Sequence, residues 1–94
     1  MRKTRTVELF VGSNNQTHVV DRAMLERVLE RFADGWTIRD ATGYWEGTHE
    51  NSVSVLLDIA EADQASLLDA ILSSNQQRAI AWHHVEPLRF AVAA

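Results

Sequence analysis

Alternating apolar and polar residues predict the strands of this chain. The period-two pattern of a half-buried strand runs over residues 5–11 and again over residues 51–59. The apolar positions of these two segments are Val7, Leu9, Val11, Val53, Val55, Leu57 and Ile59. Further extended segments are predicted over residues 36–45 and 79–85, with a short one over residues 88–92. Pro87 separates the last two segments, and because it cannot donate to a strand ladder it marks an edge, a bulge or a break.

Two other segments carry apolar residues at helical spacing. The first follows Asp21, which can cap its N-terminus, and ends at Asp34 and Gly35, where we expect a left-handed residue. The second spans residues 61–74. The predicted buried positions are Met24, Leu25, Val28, Leu29 and Phe32 in the first helix, and Leu67, Leu68, Ile71 and Leu72 in the second.

The order β-α-β-β-α-β predicts one ferredoxin-like α+β domain over residues 1–94, with two helices on one face of an antiparallel sheet and a short extra C-terminal strand. Right-handed crossovers place the first and third strands in the middle. Residues 1–4 are predicted as a flexible basic tail. The open sheet face would carry Phe10, Leu56 and Trp82, which are too apolar to lie together in water. We therefore expect a homodimer or higher homo-oligomer.

Composition and charge exclude several classes of protein. The chain has no cysteine, so a disulfide scaffold, a thiol nucleophile and cysteine-ligated zinc are excluded. Nine Lys and Arg residues oppose 13 Asp and Glu residues, and three of the nine are Arg2, Lys3 and Arg5. The rest of the chain, without these three basic residues, is therefore strongly acidic. It should repel the phosphate backbones of nucleic acids, so general nucleic-acid binding is not expected. No apolar run approaches the roughly 20 residues of a membrane span, which predicts a cytoplasmic protein without a membrane partner.

The most distinctive candidate for chemistry is a hairpin with its tip predicted over residues 46–50. Tyr44, Trp45, His49 and Glu50 could form a pocket that stacks a planar ligand and hydrogen-bonds its edge. The alternative is that Trp45 packs over a helix end while the charged residues are solvated turn residues.

A second candidate is the polar loop over residues 12–18, which leads into a helix N-terminus where backbone amides can bind an anion. Ser13 and Asn14 would contribute to such a site, and Arg39 could approach the anion from the sheet. The loop has no lysine and is not a P-loop. The alternatives are a polar connection rich in turn-forming residues and, for Arg39, a surface ion pair.

The third candidate is the cluster Trp82-His83-His84. Adjacent strand residues point to opposite faces, so His83 and His84 cannot both bind one metal. No metal-ligand spacing is present, and neither a metal nor another cofactor is predicted. One histidine would be a core or interface residue, and the other could act as a general base. Because no nucleophile or oxyanion site accompanies them, no catalytic residue is assigned; Trp82 and His84 stay as candidate ligand-binding residues.

The chain resembles a family of small bacterial and phage- or plasmid-borne ferredoxin-like domains that have no assigned reaction. The segments that carry this resemblance are VELFVG over 7–12, RFADGWTI over 31–38, GYW over 43–45 and ENSV over 50–53. The family usually has proline where this chain has Ala33. The resemblance implies the same fold and a bacterial or mobile-element origin, and it transfers no functional residue.

We favour a non-enzymatic oligomeric binding protein whose ligand lies between subunits or beneath the hairpin. With a mobile-element origin, the ligand would be a nucleotide-like immune signal that a phage-encoded protein sequesters in the host cytoplasm. One alternative is an inhibitor or assembly subunit that binds a protein partner. The other is a small cofactor-free enzyme in which His83 or His84 is the base and Trp82 or Trp45 walls the pocket.

Overall fold

Four strands of the computed structural model, which describes residues 3–93, form one antiparallel sheet. The strands are β1 (Thr4–Gly12), β2 (Trp36–Trp45), β3 (Thr48–Ala60) and β4 (Ala81–His84), and the helices are α1 (Arg22–Glu30) and α2 (Gln64–Asn75), with one 3₁₀ turn (Glu61–Asp63) before α2. The sheet order is β2-β3-β1-β4. The predicted ferredoxin-like arrangement, with β1 and β3 in the middle, is therefore confirmed.

The core lies between the sheet and the two helices. It takes the alternating apolar residues of the central strands and the inner faces of both helices. Its fully buried members are Val7, Leu9, Val11, Leu25, Val28, Leu29, Val53, Val55, Leu57, Ile59, Leu67 and Ile71. The period-two and helical patterns thus predicted the buried faces of β1, β3 and both helices, because one-sided burial imposes those periods on the sequence.

Helix α1 begins as predicted and ends earlier than predicted. The Asp21 carboxylate accepts a hydrogen bond from the Met24 amide at 3.0 Å, so Asp21 caps the helix. The helix ends at Glu30, and the amides of Phe32 and Ala33 both bond to the Leu29 carbonyl. These local bonds close the helix without a left-handed glycine. The expected left-handed conformation at Gly35 is therefore wrong, and Gly47 has the only positive φ among the described glycines.

The turn of the β2–β3 hairpin has two residues, Glu46 and Gly47, with φ values of 48° and 82°. The tip predicted over residues 46–50 is therefore too long. Thr48, His49 and Glu50 already belong to β3 and pair with β2. Two consecutive positive φ values match the right-handed twist of a hairpin, which is why so short a turn suffices.

Both predicted terminal features differ from the structure. Residues 85–93 contain no helix or strand, so the extra strand over 88–92 is not formed. After β4 the amides of Val85 and Leu88 bond instead to the carbonyl and hydroxyl of Thr6, and Pro87 has no amide to extend a ladder. At the other end, Thr4 is already paired in β1, which shortens the predicted tail of residues 1–4; residues 1–2 lie outside the described residues.

Strand β4 places Trp82 on the face opposite to the predicted one. Trp82 pairs with Leu9 and His84 pairs with Val7, so both lie on the helix-covered face. His83 pairs with Glu8 and lies on the open face. The predicted opposition of the two histidines is thereby confirmed, whereas the assignment of Trp82 to the open face is wrong.

Candidate functional site

A cleft of about 500 Å³ lies between the polar loop and the β2–β3 hairpin. Five of the residues predicted to bind a ligand line this loop–hairpin cleft: Ser13, Asn14, Trp45, His49 and Glu50. The structure therefore brings together two segments that the sequence had marked as separate candidates.

The cleft exists because β3 is longer than its central partner. Strand β1 ends at Gly12, opposite Ser52, whereas β3 begins at Thr48. In the described part of the chain, residues 48–51 pair with β2 alone, so their other edge has no strand partner. The polar loop leaves the end of β1 beside this edge.

Asn14 determines the conformation of the polar loop. Its side-chain oxygen accepts hydrogen bonds from the amides of Gln16 at 2.8 Å and Thr17 at 3.2 Å. Its main chain bonds with the amide of His18 and the carbonyl of Val19. The amides of Gln16, Thr17 and His18 are thus used inside the loop and the Met24 amide bonds to Asp21, so these four donors do not contribute to the predicted anion site.

The floor of the cleft depends on close approaches to Gly12. The Glu50 carboxylate and the Gln77 amide nitrogen each lie 2.6 Å from the position that a Cβ would occupy on Gly12. The C-terminal end of α2 is hydrogen-bonded to the end of β1. Asn75 donates to the Gly12 carbonyl at 2.7 Å, and Gln77 donates to the Ser13 carbonyl at 3.1 Å. A Cβ at this position would displace the ends of both side chains from where they now lie.

The hairpin side of the cleft supplies aromatic surface. The side chain of Trp45 is 66% exposed, which leaves its ring free to stack on a ligand. The ring of Tyr44 is equally exposed and meets His49 edge-on, with the ring centroids 5.1 Å apart. Tyr44 therefore contacts a lining residue and does not itself line the cleft.

The other three predicted site residues lie elsewhere. Arg39 is on the open sheet face with a guanidinium nitrogen 3.5 Å from the Glu8 carboxylate, which is the surface ion pair of the alternative interpretation. His84 bonds to Gln64 at 3.1 Å, and its ring lies 5.2 Å from that of Trp82. The structure does not bring these residues to the loop–hairpin cleft.

A polar network on the open face was not assigned from the sequence. Glu8 accepts a hydrogen bond from Ser54 at 2.7 Å and bonds with His83 at 2.7 Å, and the ring of His83 stacks on Phe10. The bonds to Ser54 and to His83, with the charges of His83 and Arg39, lower the pKa of Glu8 although burial opposes them. In the sequence, the one sign of this network was a glutamate inside an apolar strand. The partners of this glutamate could not be predicted, because they depend on how the strands pair.

Residues 3–93 contain neither a cluster of metal-ligating side chains nor a membrane-spanning helix. No three side chains of histidine, aspartate or glutamate converge there as a metal ion would require. Neither helix in this range is both long and apolar enough to cross a membrane.

Comparisons with known proteins identify the fold. No protein-family model and no curated protein matches the chain. Among the solved structures that are similar to it are three that cover 96–100% of the chain. A DUF3240 family protein from Shewanella baltica OS155 has a TM-score of 0.68 and 12% identity, covering 100% of both chains. The PII-like protein CPII from Thiomonas intermedia K12, described as bound to ADP, AMP and bicarbonate, has a TM-score of 0.64 and 12% identity over 97% of this chain and 100% of its own.

The third similar structure is the periplasmic divalent cation tolerance protein CutA from Archaeoglobus fulgidus, with a TM-score of 0.54 and 14% identity over 96% of this chain and 88% of its own. Identities this low show a shared fold and transfer no function. The family resemblance seen in the sequence is supported as far as the small ferredoxin-like domain. Nothing in the matches indicates a phage or plasmid origin.

Proposed function

We propose that this protein binds a small planar ligand in the loop–hairpin cleft, as a homo-oligomer and without catalysing a reaction. The observation that carries the proposal is the convergence of the polar loop and the hairpin on one cleft. Two segments that are distant in sequence contribute polar and aromatic side chains there, which is the usual make-up of a small-molecule site.

The chemistry of the lining favours a flat ligand with a polar edge. The exposed ring of Trp45 offers a stacking surface. Glu50, on the same face of the hairpin, and the unpaired edge of β3 offer hydrogen-bonding groups beside it, while His49 lines the cleft from the other face. A nucleobase has this combination of a π-face and a polar rim, so nucleotides and nucleosides are suitable probes. The ADP and AMP named for the Thiomonas protein support that choice.

A narrower form of the proposal concerns sequestration. A protein that binds a nucleotide-like signal tightly can remove it without any reaction, which suits a chain to which no catalytic residue is assigned. We place this activity in the cytoplasm. The phage-encoded version is supported by the sequence resemblance alone.

The open sheet face supports the oligomeric part of the proposal. Phe10 is 39% exposed there, and Leu56 is partly exposed. The C-terminal segment adds Phe90, which is 77% exposed. Apolar surface of this kind in a small domain is typical of a protein–protein contact.

Tryptophan substitutions test the ligand site with an internal control. Binding of AMP, ADP, adenosine and guanosine is measured by titration calorimetry. Trp45→Ala should weaken whichever of these ligands binds by about tenfold, because stacking contributes roughly 1–3 kcal/mol per base. Trp82→Ala removes a partly exposed tryptophan outside the cleft and should leave the affinity unchanged. Absence of binding by all four compounds, or equal loss in both variants, would contradict the proposal.

The Glu8–His83 hydrogen bond favours His83 over His84 as the base in the alternative, enzymatic function. A carboxylate bonded to one ring nitrogen fixes the orientation of the imidazole. In that case turnover of a nucleoside or nucleotide that the protein binds would depend on His83. It would be lost in His83→Ala and kept in His84→Ala.

A further inference from the structure

We infer that the loop–hairpin cleft selects a neutral or cationic heterocycle with adjacent N–H donors, and that it disfavours anionic groups such as phosphate. The inference rests on the proposed function, since it specifies the ligand of the same cleft. It concerns which part of a nucleoside-like molecule the cleft recognises.

The charge of the lining is the first argument. Among the described residues that line the cleft are Glu46 and Glu50, but no lysine or arginine. The nearby arginine of α1, Arg22, is paired with Asp40, and Arg39 of β2 is paired with Glu8. A phosphate in the cleft would therefore meet two carboxylates and neither lysine nor arginine, with the imidazoles of His18 and His49 as the basic groups present, in a chain whose net charge is already −4.

The backbone gives a second and independent argument. Proteins without cationic side chains bind phosphate through free amides at a loop or helix N-terminus. Here the amides of Gln16 and Thr17 donate to Asn14, and the amide of Met24 donates to Asp21. Those three amides are therefore not free to bind an anion.

The Glu50 carboxylate gives the third argument, because it is a hydrogen-bond acceptor in the lining of the cleft. It is held over Gly12 and Gly43. A carboxylate can accept two parallel N–H bonds. The edge of guanine, with a ring N–H next to an amino group, supplies that pair of donors, and Trp45 can stack on the ring.

Nucleoside and nucleotide series separate this inference from the proposed function. The probes are guanosine, GMP and GDP together with adenosine, AMP and ADP, titrated into the full chain by calorimetry at low ionic strength. We expect guanosine to bind at least threefold more tightly than GMP, and GMP more tightly than GDP. If the preferred nucleotide binds as tightly as its nucleoside or more tightly, the inference is overturned while the proposed function stands. If none of the six binds, the proposed function itself fails.

A matched pair of charge variants tests the role of Glu50. Glu50→Gln should weaken guanosine binding by about tenfold, because it removes the charge of the proposed hydrogen-bond acceptor. It should also reduce the preference for guanosine over GMP. Glu26→Gln makes the same charge change on the exposed surface of α1 and should do neither. Equal effects of the two variants would show that net charge alone controls binding, which overturns the assignment of Glu50 as the acceptor.

Discussion

Gly12 is the residue on which the geometry of the cleft floor depends most directly. The carboxylate of Glu50 and the amide of Gln77 both occupy the volume of a side chain at this position. Because Gly12 has no Cβ, Glu50 from the hairpin and Gln77 from the segment after α2 can both pack against the end of β1. This close approach favours glycine at position 12. Position 35 has no such restriction, since a Cβ on Gly35 would meet nothing within 4 Å.

Gly12→Ala should lower the free energy of unfolding by about 1 kcal/mol, because the added carbon displaces the ends of the Glu50 and Gln77 side chains and the displaced Gln77 amide loses its hydrogen bond to Ser13. Gly35→Ala is the matched control and should be neutral or stabilising by up to about 1 kcal/mol, since alanine restricts the unfolded chain. Urea denaturation measures both variants. Equal stability of the two would show that the contacts at Gly12 yield without cost.

Glu8 makes the stability of the protein depend on pH. Its pKa is lowered in the folded state, first by the hydrogen bond from Ser54 and then by that with His83. A lowered folded pKa gives stabilisation that is complete above the ordinary glutamate pKa, about 4.3, and is lost as pH falls through the lower folded value.

Urea denaturation between about pH 6 and about pH 3 tests the contribution of Glu8. The fall in unfolding free energy should be smaller in Glu8→Gln than in the parent protein. The exposed variant Glu26→Gln should follow the parent. An unchanged fall in Glu8→Gln would show that other carboxylates account for the acid sensitivity.

At the scale of elements, the β2–β3 hairpin presents Trp45 and Glu50 from the two sides of one short turn. Glu46 adopts a positive φ that a side chain with a Cβ resists, whereas Gly47 adopts its own positive φ freely. The turn therefore contains one suitable residue and one strained residue.

Replacements in this turn should change stability in opposite directions. Glu46→Asn should stabilise the protein by up to about 1 kcal/mol, because asparagine followed by glycine is the preferred pair for this turn. Gly47→Ala should destabilise it by about 1–2 kcal/mol through the left-handed conformation alone, since a Cβ there meets no atom within 4 Å. Thermal unfolding followed by circular dichroism measures both. Effects of the same sign would contradict this description of the turn.

At the scale of the whole molecule, the sheet has one covered face and one open face. The helices and the core lie on the covered face. The open face carries Phe10 next to the Glu8–His83 pair, a mixture of apolar surface and satisfied polar groups. Such a face can be buried in a contact without leaving those charges unpaired.

Native mass spectrometry of the purified protein should give the mass of a homo-oligomer. Phe10→Lys should shift the population toward the monomer, because it places a charged side chain in the proposed contact. In the monomer this lysine can lie in water near Glu8 on the same face. Tyr44→Lys changes an exposed aromatic residue off that face and should leave the mass unchanged. A monomeric parent protein would contradict self-association, and the open face would then require a different protein partner.

Periodicity predicted most of the fold because burial on one side leaves a regular trace in the sequence. Val7, Leu9 and Val11 alternate in β1, and Leu25 with Leu29 repeats in α1, so both elements and their buried faces could be assigned without coordinates. Strand β4 left no such trace, since all four of its residues are exposed. The face of Trp82 follows from pairing with Leu9, and a shift of one residue would reverse it.

The sequence by itself determined the order of the four strands and two helices, the antiparallel ferredoxin-like sheet and the polar and aromatic residues worth considering, although it also predicted a strand over 88–92 that is not formed. Only the tertiary structure decided which of those residues meet. Ser13 and Glu50 share a cleft because β3 extends beyond Gly12, whereas Arg39 bonds to Glu8 on another face. The physical reason is that local patterns record burial along one segment, while a site depends on strand lengths and registers that join distant segments.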